Sequence, residues 1–240
     1  MLYGGLDAHK DFVQACWVNG KNKVVREERF ETTPSGLHDL CEAARGSRCV
    51  IESSTACFQT YDALREAKVR VRVAHPLRVK AIASAKIKTD KIDARTLAEL
   101  ERADLIPEAH VPSKETRDLR LLVRQRVFLT RQATRLKNRV RSIFLKQGTK
   151  TPRNLFTQRA LNDAITQLSC STKLAVEQLA SQLRFLEEQR REVNAAIQLA
   201  AESNPDAVLL KTMPGVGWFS ALLLAAEMIV DVGRRDVAAL

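Results

Sequence analysis

The most constraining feature is a change of hydrophobic period at Pro112. Beyond it, Leu119, Leu122, Arg126, Leu129, Ala133, Leu136, Val140 and Ile143 recur at alternating steps of three and four. Val176, Leu179, Leu183, Leu186, Arg190, Val193, Ile197 and Ala200 repeat the pattern. A seven-residue repeat keeps one stripe facing a partner helix, so two long helices are expected, paired as an antiparallel hairpin or with a second subunit. Arginines at two stripe positions would weaken a simple seam, or would mark register or a ligand. Between the helices, Gly148 to Ser171 is polar, with Pro152 and two short apolar clusters.

Before Pro112 the segments are short and mixed. Leu2 to Leu6, Phe12 to Val18 and Val24 to Phe30 read as strands, the last two separated by the turn-forming Asn19-Gly20-Lys21-Asn22. Together they predict an antiparallel meander. Pro34 to Ala44 has helical spacing, Arg48 to Ile51 is strand-like, Phe58 to Ala67 helical, and Val69 to Ala74 strand-like; helices follow Pro76 and Thr89. Because a crossover helix returns the chain to a parallel neighbour, the later strands should extend the meander into a mixed sheet.

Charge is concentrated where the period changes. The chain of 240 residues carries a formal +11, and thirteen Lys/Arg against two acids lie between His110 and Arg153. Such a segment cannot neutralise itself through intrahelical pairs and favours a polyanion. Lys114, Arg117, Arg120, Arg124, Arg131, Arg135, Lys137, Arg139 and Arg141 are the expected nucleic-acid contacts. With only Phe128 and Phe144 interleaved, recognition of backbone and shape is favoured over base stacking. No apolar run is long enough to span a bilayer and no signal-peptide layout opens the chain, so a cytoplasmic protein without a membrane partner is expected. Five cysteines without a CxxC pair suggest neither a disulfide framework nor a zinc site.

The acids of the first half fall at informative places. Asp7 ends the first strand, Glu52 follows the fourth, and Asp90 and Asp93, three apart, share a face at the start of a helix. Singly, each fits a turn or a helix cap. Together they would repel one another unless cations lay between them, and paired magnesium ions take hard oxygen ligands in phosphodiester chemistry. His9, Asp11 and Asp39 read as surface or turn groups.

Gly5-Leu6-Asp7-Ala8-His9-Lys10-Asp11, Ile51-Glu52-Ser53-Ser54, His75-Pro76-Leu77-Arg78-Val79-Lys80, Lys88-Thr89-Asp90-Lys91-Ile92-Asp93-Ala94-Arg95 and Met213-Pro214-Gly215-Val216-Gly217 resemble, in order, the motifs of the DEDD transposases of insertion sequences, relatives of the Piv/MooV invertases. His75 stands where relatives often have Asn. The resemblance implies an RNase H-like (RuvC-like) mixed sheet with helices over residues 1–108, a basic coiled-coil helical region over 109–204, and the start of a helical C-terminal transposase domain over 205–240. It places the four catalytic, metal-binding acids on Asp7, Glu52, Asp90 and Asp93, with Mg2+ or Mn2+ as cofactor. It further implies DNA strand cleavage and exchange guided by a noncoding RNA, a homo-oligomer of two or four subunits, and a serine nucleophile in the C-terminal domain. Nothing after Gly217 matches that serine's motif, so the chain is expected to be incomplete for strand exchange. A structure-specific RuvC-like nuclease and an inactive nucleic-acid-binding fragment are the alternatives. Gly215 and Gly217 could hold a phosphate in a helix-hairpin-helix or simply form a tight turn.

Overall fold

The computed structural model describes residues 1–82 and 89–228, which divide into two compact units, the first ending at Val111 and the second beginning at Pro112. Lys88 of the fourth motif lies outside the described residues.

In the first unit, β1 (Leu2–Ala8) pairs antiparallel with β2 (Phe12–Asn19), and β2 with β3 (Val24–Glu31). The β2–β3 turn forms where expected: Asn19 Oδ1 accepts from the amides of Lys21 and Lys23, and Asn22 takes φ 60°. Helix α1 (Pro34–Ala44), capped by Thr33, leads to β4 (Arg48–Glu52), and α2 (Cys57–Glu66) crosses to β5 (Arg70–Ala74). Both β4 and β5 are parallel to β1, giving the order β3-β2-β1-β4-β5. This is the expected mixed sheet, an antiparallel meander extended by two parallel strands. Helices α3 (Pro76–Ile82) and α4 (Asp90–Arg102) complete the unit.

Alternation along the strands sorts side chains to two faces. Leu6, Val13, Ala15, Trp17, Ile51, Val71 and Val73 pack with Leu37 and Leu40 of α1 and Leu64 of α2. On the other face, Val50 meets Leu97 and Leu100, while Cys16 and Val18 meet Ala94 and Ala98, all from α4. Gly5 sets how closely α4 lies on β1, because a Cβ there would stand 1.9 Å from the Ala94 carbonyl oxygen. The C-terminal part of α4 is tied to the sheet by charge. Glu101, only 1% exposed, accepts from Arg48 Nε at 3.0 Å and Arg72 Nη2 at 2.6 Å.

In the second unit, α5 (Lys114–Lys146) and α7 (Cys170–Glu202) pack on each other within the chain. Lys137 reaches Glu187 and Arg126 reaches Asn194, so residue numbers rise along one helix as they fall along the other, and the pair is antiparallel. The buried residues of α5 are Val123, Leu129, Ala133, Val140 and Phe144, a wider face than the seven-residue stripe. Extra partners explain the width. α6 (Gln158–Ile165) and Leu155 cover one end, joining Val140, Phe144, Val176 and Ala180. At the other end α8 (Pro205–Lys211) and α9 (Trp218–Glu227) pack on α5 and α7 through Ala207, Ala221, Leu222, Val123 and Ile197. Arg126, at a stripe position, turns to Asn194 and lies 3.8 Å from the Phe219 ring centre. Burial and the neighbouring Arg190 lower its pKa.

All five cysteines are free, four of them buried. No described helix is long and apolar enough to cross a membrane.

Candidate active site

Strand register and helix capping together assemble the acidic site. Leu6 faces Ile51 across the parallel β1–β4 pair, so Asp7 and Glu52 occupy the next positions of adjacent strands, on the face opposite that of Leu6 and Ile51. Glu52 is the last residue of β4 rather than the first beyond it, and Asp7 is followed by one more strand residue, Ala8. That face is the one covered by α4. Thr89 caps α4, its hydroxyl accepting from Ile92 N at 3.3 Å, which leaves Asp90 at the first helical position free of the capping task. Asp93 follows one turn later on the same side.

One ligand atom from each of Asp7, His9 and Asp90 lies within 4.8 Å of the others. His9 Nε2 is 3.0 Å from Asp7 Oδ2 and 3.6 Å from Asp90 Oδ1. Exposure rises from 15% at the Asp7 side chain to 50% at Asp90, so the site opens from the sheet toward solvent. Burial raises the pKa of Asp7; the charge and hydrogen bond of His9 oppose that rise, and Asp93 and Asp90 add to it. Glu52 is next to Asp7 by strand register, and the charge of Asp93 reaches Asp7.

His9 lies in the β1–β2 turn, as expected, and it also meets the acids. The available signal was its spacing: two residues on from Asp7, extended chain returns to the same side.

On the second unit, Arg117, Arg124, Arg131, Arg135 and Arg139 fall on one side of α5 at about 100° per residue, opposite Ala133 and Val140. Arg131, Arg135, Arg139 and Arg141 are exposed. Acids from other helices engage part of the basic set, a pairing invisible along α5 itself. Arg124 binds Glu227 with Nε and Nη2 at 2.7 and 2.9 Å, Arg120 lies 3.6 Å from the same carboxylate, and Lys137 donates to Glu187 at 3.0 Å. Lys114 and Arg117 also have partners within the protein.

Met213 to Val216 forms a turn in which Val216 N donates to Met213 O at 3.1 Å, with Pro214 second and Gly215 third at φ +82°. This backbone needs glycine at the third position. Gly217 is the N-cap of α9.

A family model for DEDD transposases of the IS110 type, described as a transposase, matches residues 4–148. The chain is 23% identical to the transposase for insertion sequence element IS1533 of Leptospira borgpetersenii, covering 95% of this chain and 69% of that one. It is 22% identical to the transposase for insertion sequence element IS1111A of Coxiella burnetii, covering 93% of this chain and 62% of that one. Among solved structures, Thermus thermophilus RuvC in complex with a Holliday junction substrate aligns over 45% of this chain and 99% of its own, with 14% identity and a TM-score of 0.35. A second Thermus thermophilus RuvC structure aligns over 45% of this chain and 100% of its own, with 15% identity and a TM-score of 0.30.

Proposed function

The chain belongs to the DEDD transposases of the IS110 type, and on that premise we propose that Asp7, Glu52, Asp90 and Asp93 hold divalent metal, Mg2+ or Mn2+, for cleavage of DNA phosphodiester bonds in transposition. The observation that carries this reading is the meeting of Asp7 and Asp90 at the strand ends, with Glu52 and Asp93 beside them. The donor set suits hard cations, since four carboxylates offer oxygen ligands and burial makes an uncompensated charge on Asp7 costly. Bound there, divalent ions would activate the attacking oxygen and stabilise the leaving one.

The residues divide the remaining work. Asp7 and Glu52, on adjacent strands, hold fixed positions, while Asp90 and Asp93 depend on where α4 is seated. The exposed arginines of α5 hold phosphates of DNA and of a noncoding guide RNA, and the turn at Gly215 and Gly217 adds backbone amides to that interface. Residues 1–108 form the catalytic domain, 109–204 the basic helical region, and 205–240 the start of a transposase domain. Two or four subunits assemble around the DNA.

Thermal melting with and without Mn2+ or Mg2+ tests the site. A ligand at a hundred times its dissociation constant stabilises by about 2.7 kcal/mol. The wild type should therefore gain several degrees, and the Asp7→Asn, Asp93→Asn double variant should not. Equal shifts in the two proteins would remove the assignment.

A further inference from the structure

His9 belongs to none of the four acidic positions, yet its Nε2 lies 3.0 Å from Asp7 Oδ2 and 3.6 Å from Asp90 Oδ1. Its ring is held there by the surrounding chain. The backbone of His9 closes the β1–β2 turn by donating to Phe12 O at 2.8 Å, and the imidazole stacks on Phe12 with ring centres 4.5 Å apart. The Arg29 guanidinium lies 3.2 Å from the centre of that same Phe12 ring. Thr32 fastens the turn to the end of β3, its hydroxyl donating to Lys10 O at 2.7 Å and its amide to Asp11 O at 3.2 Å. A side chain fixed by a stack and a doubly tied turn is placed in advance, as a metal ligand should be.

We propose that His9 is a nitrogen ligand of the metal site, binding through Nε2 beside Asp7 and Asp90 and biasing the site toward Mn2+ over Mg2+. The inference rests on the metal reading given above and deepens it. Hard Mg2+ gains little from exchanging an oxygen ligand for imidazole, whereas Mn2+ accepts nitrogen and carboxylate together. Binding requires the Nε2 lone pair, so the hydrogen bond from His9 to Asp7 gives way as both groups turn to a shared ion. The three ligand atoms already lie within 4.8 Å of one another, so small side-chain adjustments suffice.

The test is spin-echo EPR on the 240-residue chain loaded with Mn2+ alone, together with calorimetric titrations of Mn2+ and Mg2+. The wild type should show modulation from a directly bound imidazole nitrogen. His9→Ala should lose that modulation and bind Mn2+ about tenfold more weakly, while Mg2+ affinity changes by less than about threefold. His9 is 37% exposed, so its truncation leaves no large cavity, and a wild-type spectrum without nitrogen modulation is decisive without any variant. Mn2+ that binds in an Asp7-dependent way without nitrogen modulation overturns the role of His9 and leaves the acidic site standing. Absence of Mn2+ binding, or binding unaffected by Asp7→Asn, overturns both.

Discussion

Substituting Gly5 by alanine should damage the fold and the site together. The added Cβ would lie 1.9 Å from Ala94 O and 2.4 Å from Ala98 N, where ordinary contact begins at 3.4 Å. Helix α4 must then retreat by about 1.5 Å, the difference between the first and last of those distances. Both obstructing atoms are backbone, so no rotamer change relieves the clash. Glu101 holds the other end of α4 to Arg48 and Arg72, and the displacement should therefore concentrate near Asp90 and Asp93. Overpacking of this kind costs about 1–3 kcal/mol, and two backbone obstructions place this case near the upper end. Displacement of a reacting group by about 1 Å costs roughly a hundredfold in rate. Urea unfolding and Mn2+ titration form the assay, with Gly20→Ala as control because nothing lies within 4 Å of its added Cβ. The control should stay within about 0.5 kcal/mol of wild type, as surface substitutions usually do. Gly5→Ala with unchanged stability and unchanged Mn2+ affinity would refute the claim that this glycine seats the helix carrying two of the acids.

Three further outcomes are expected. Replacing Arg131, Arg135 and Arg139 with glutamine should reduce the slope of log affinity against log salt for duplex DNA by up to about 0.9 per lost phosphate contact, and an unchanged slope would put the interface elsewhere. Glu101→Ala should cost about 3 kcal/mol in chemical denaturation, because two guanidinium groups lose their shared buried carboxylate; a loss below about 0.5 kcal/mol would contradict the anchoring role. The raised pKa of Asp7 means that, without metal, the folded state holds this proton more tightly than the unfolded chain does. Its contribution is fully present below the unfolded value and is lost as pH rises through the folded one. In EDTA, Asp7→Asn should consequently melt above wild type at pH 7, with the gap narrowing toward pH 4; a gap that widens on acidification would show the opposite sign.

Local signals in the sequence were strong enough for most elements. Thr33-Pro34 starts α1, Asn19 and Asn22 form the β2–β3 turn, and the alternating steps of three and four mark α5 and α7. The width of the helical core was less legible. Val123 and Phe144 face α8, α9, α6 and Leu155, elements whose placement a two-helix repeat does not encode. The meeting of Asp7 with Asp90 depended on strand order and on the close seat at Gly5, so spacing alone could only suggest it. The meeting of His9 with the acids was hidden because a lone histidine beside a turn has an ordinary surface reading, and only the position of α4 brings Asp90 to it. Glu227 was equally hidden as a partner of Arg124, lying more than a hundred residues further along the chain.

The central claim is that the acids at the ends of β1 and β4 and the start of α4 form one metal site. Anomalous diffraction from crystals of this chain soaked in Mn2+ tests it most directly. Density within bonding distance of Asp7 and Asp90 carboxylate oxygens, about 2.0–2.6 Å for hard cations, is the predicted result. A well-ordered site at saturating Mn2+ with no anomalous peak among Asp7, Glu52, Asp90 and Asp93 would contradict it.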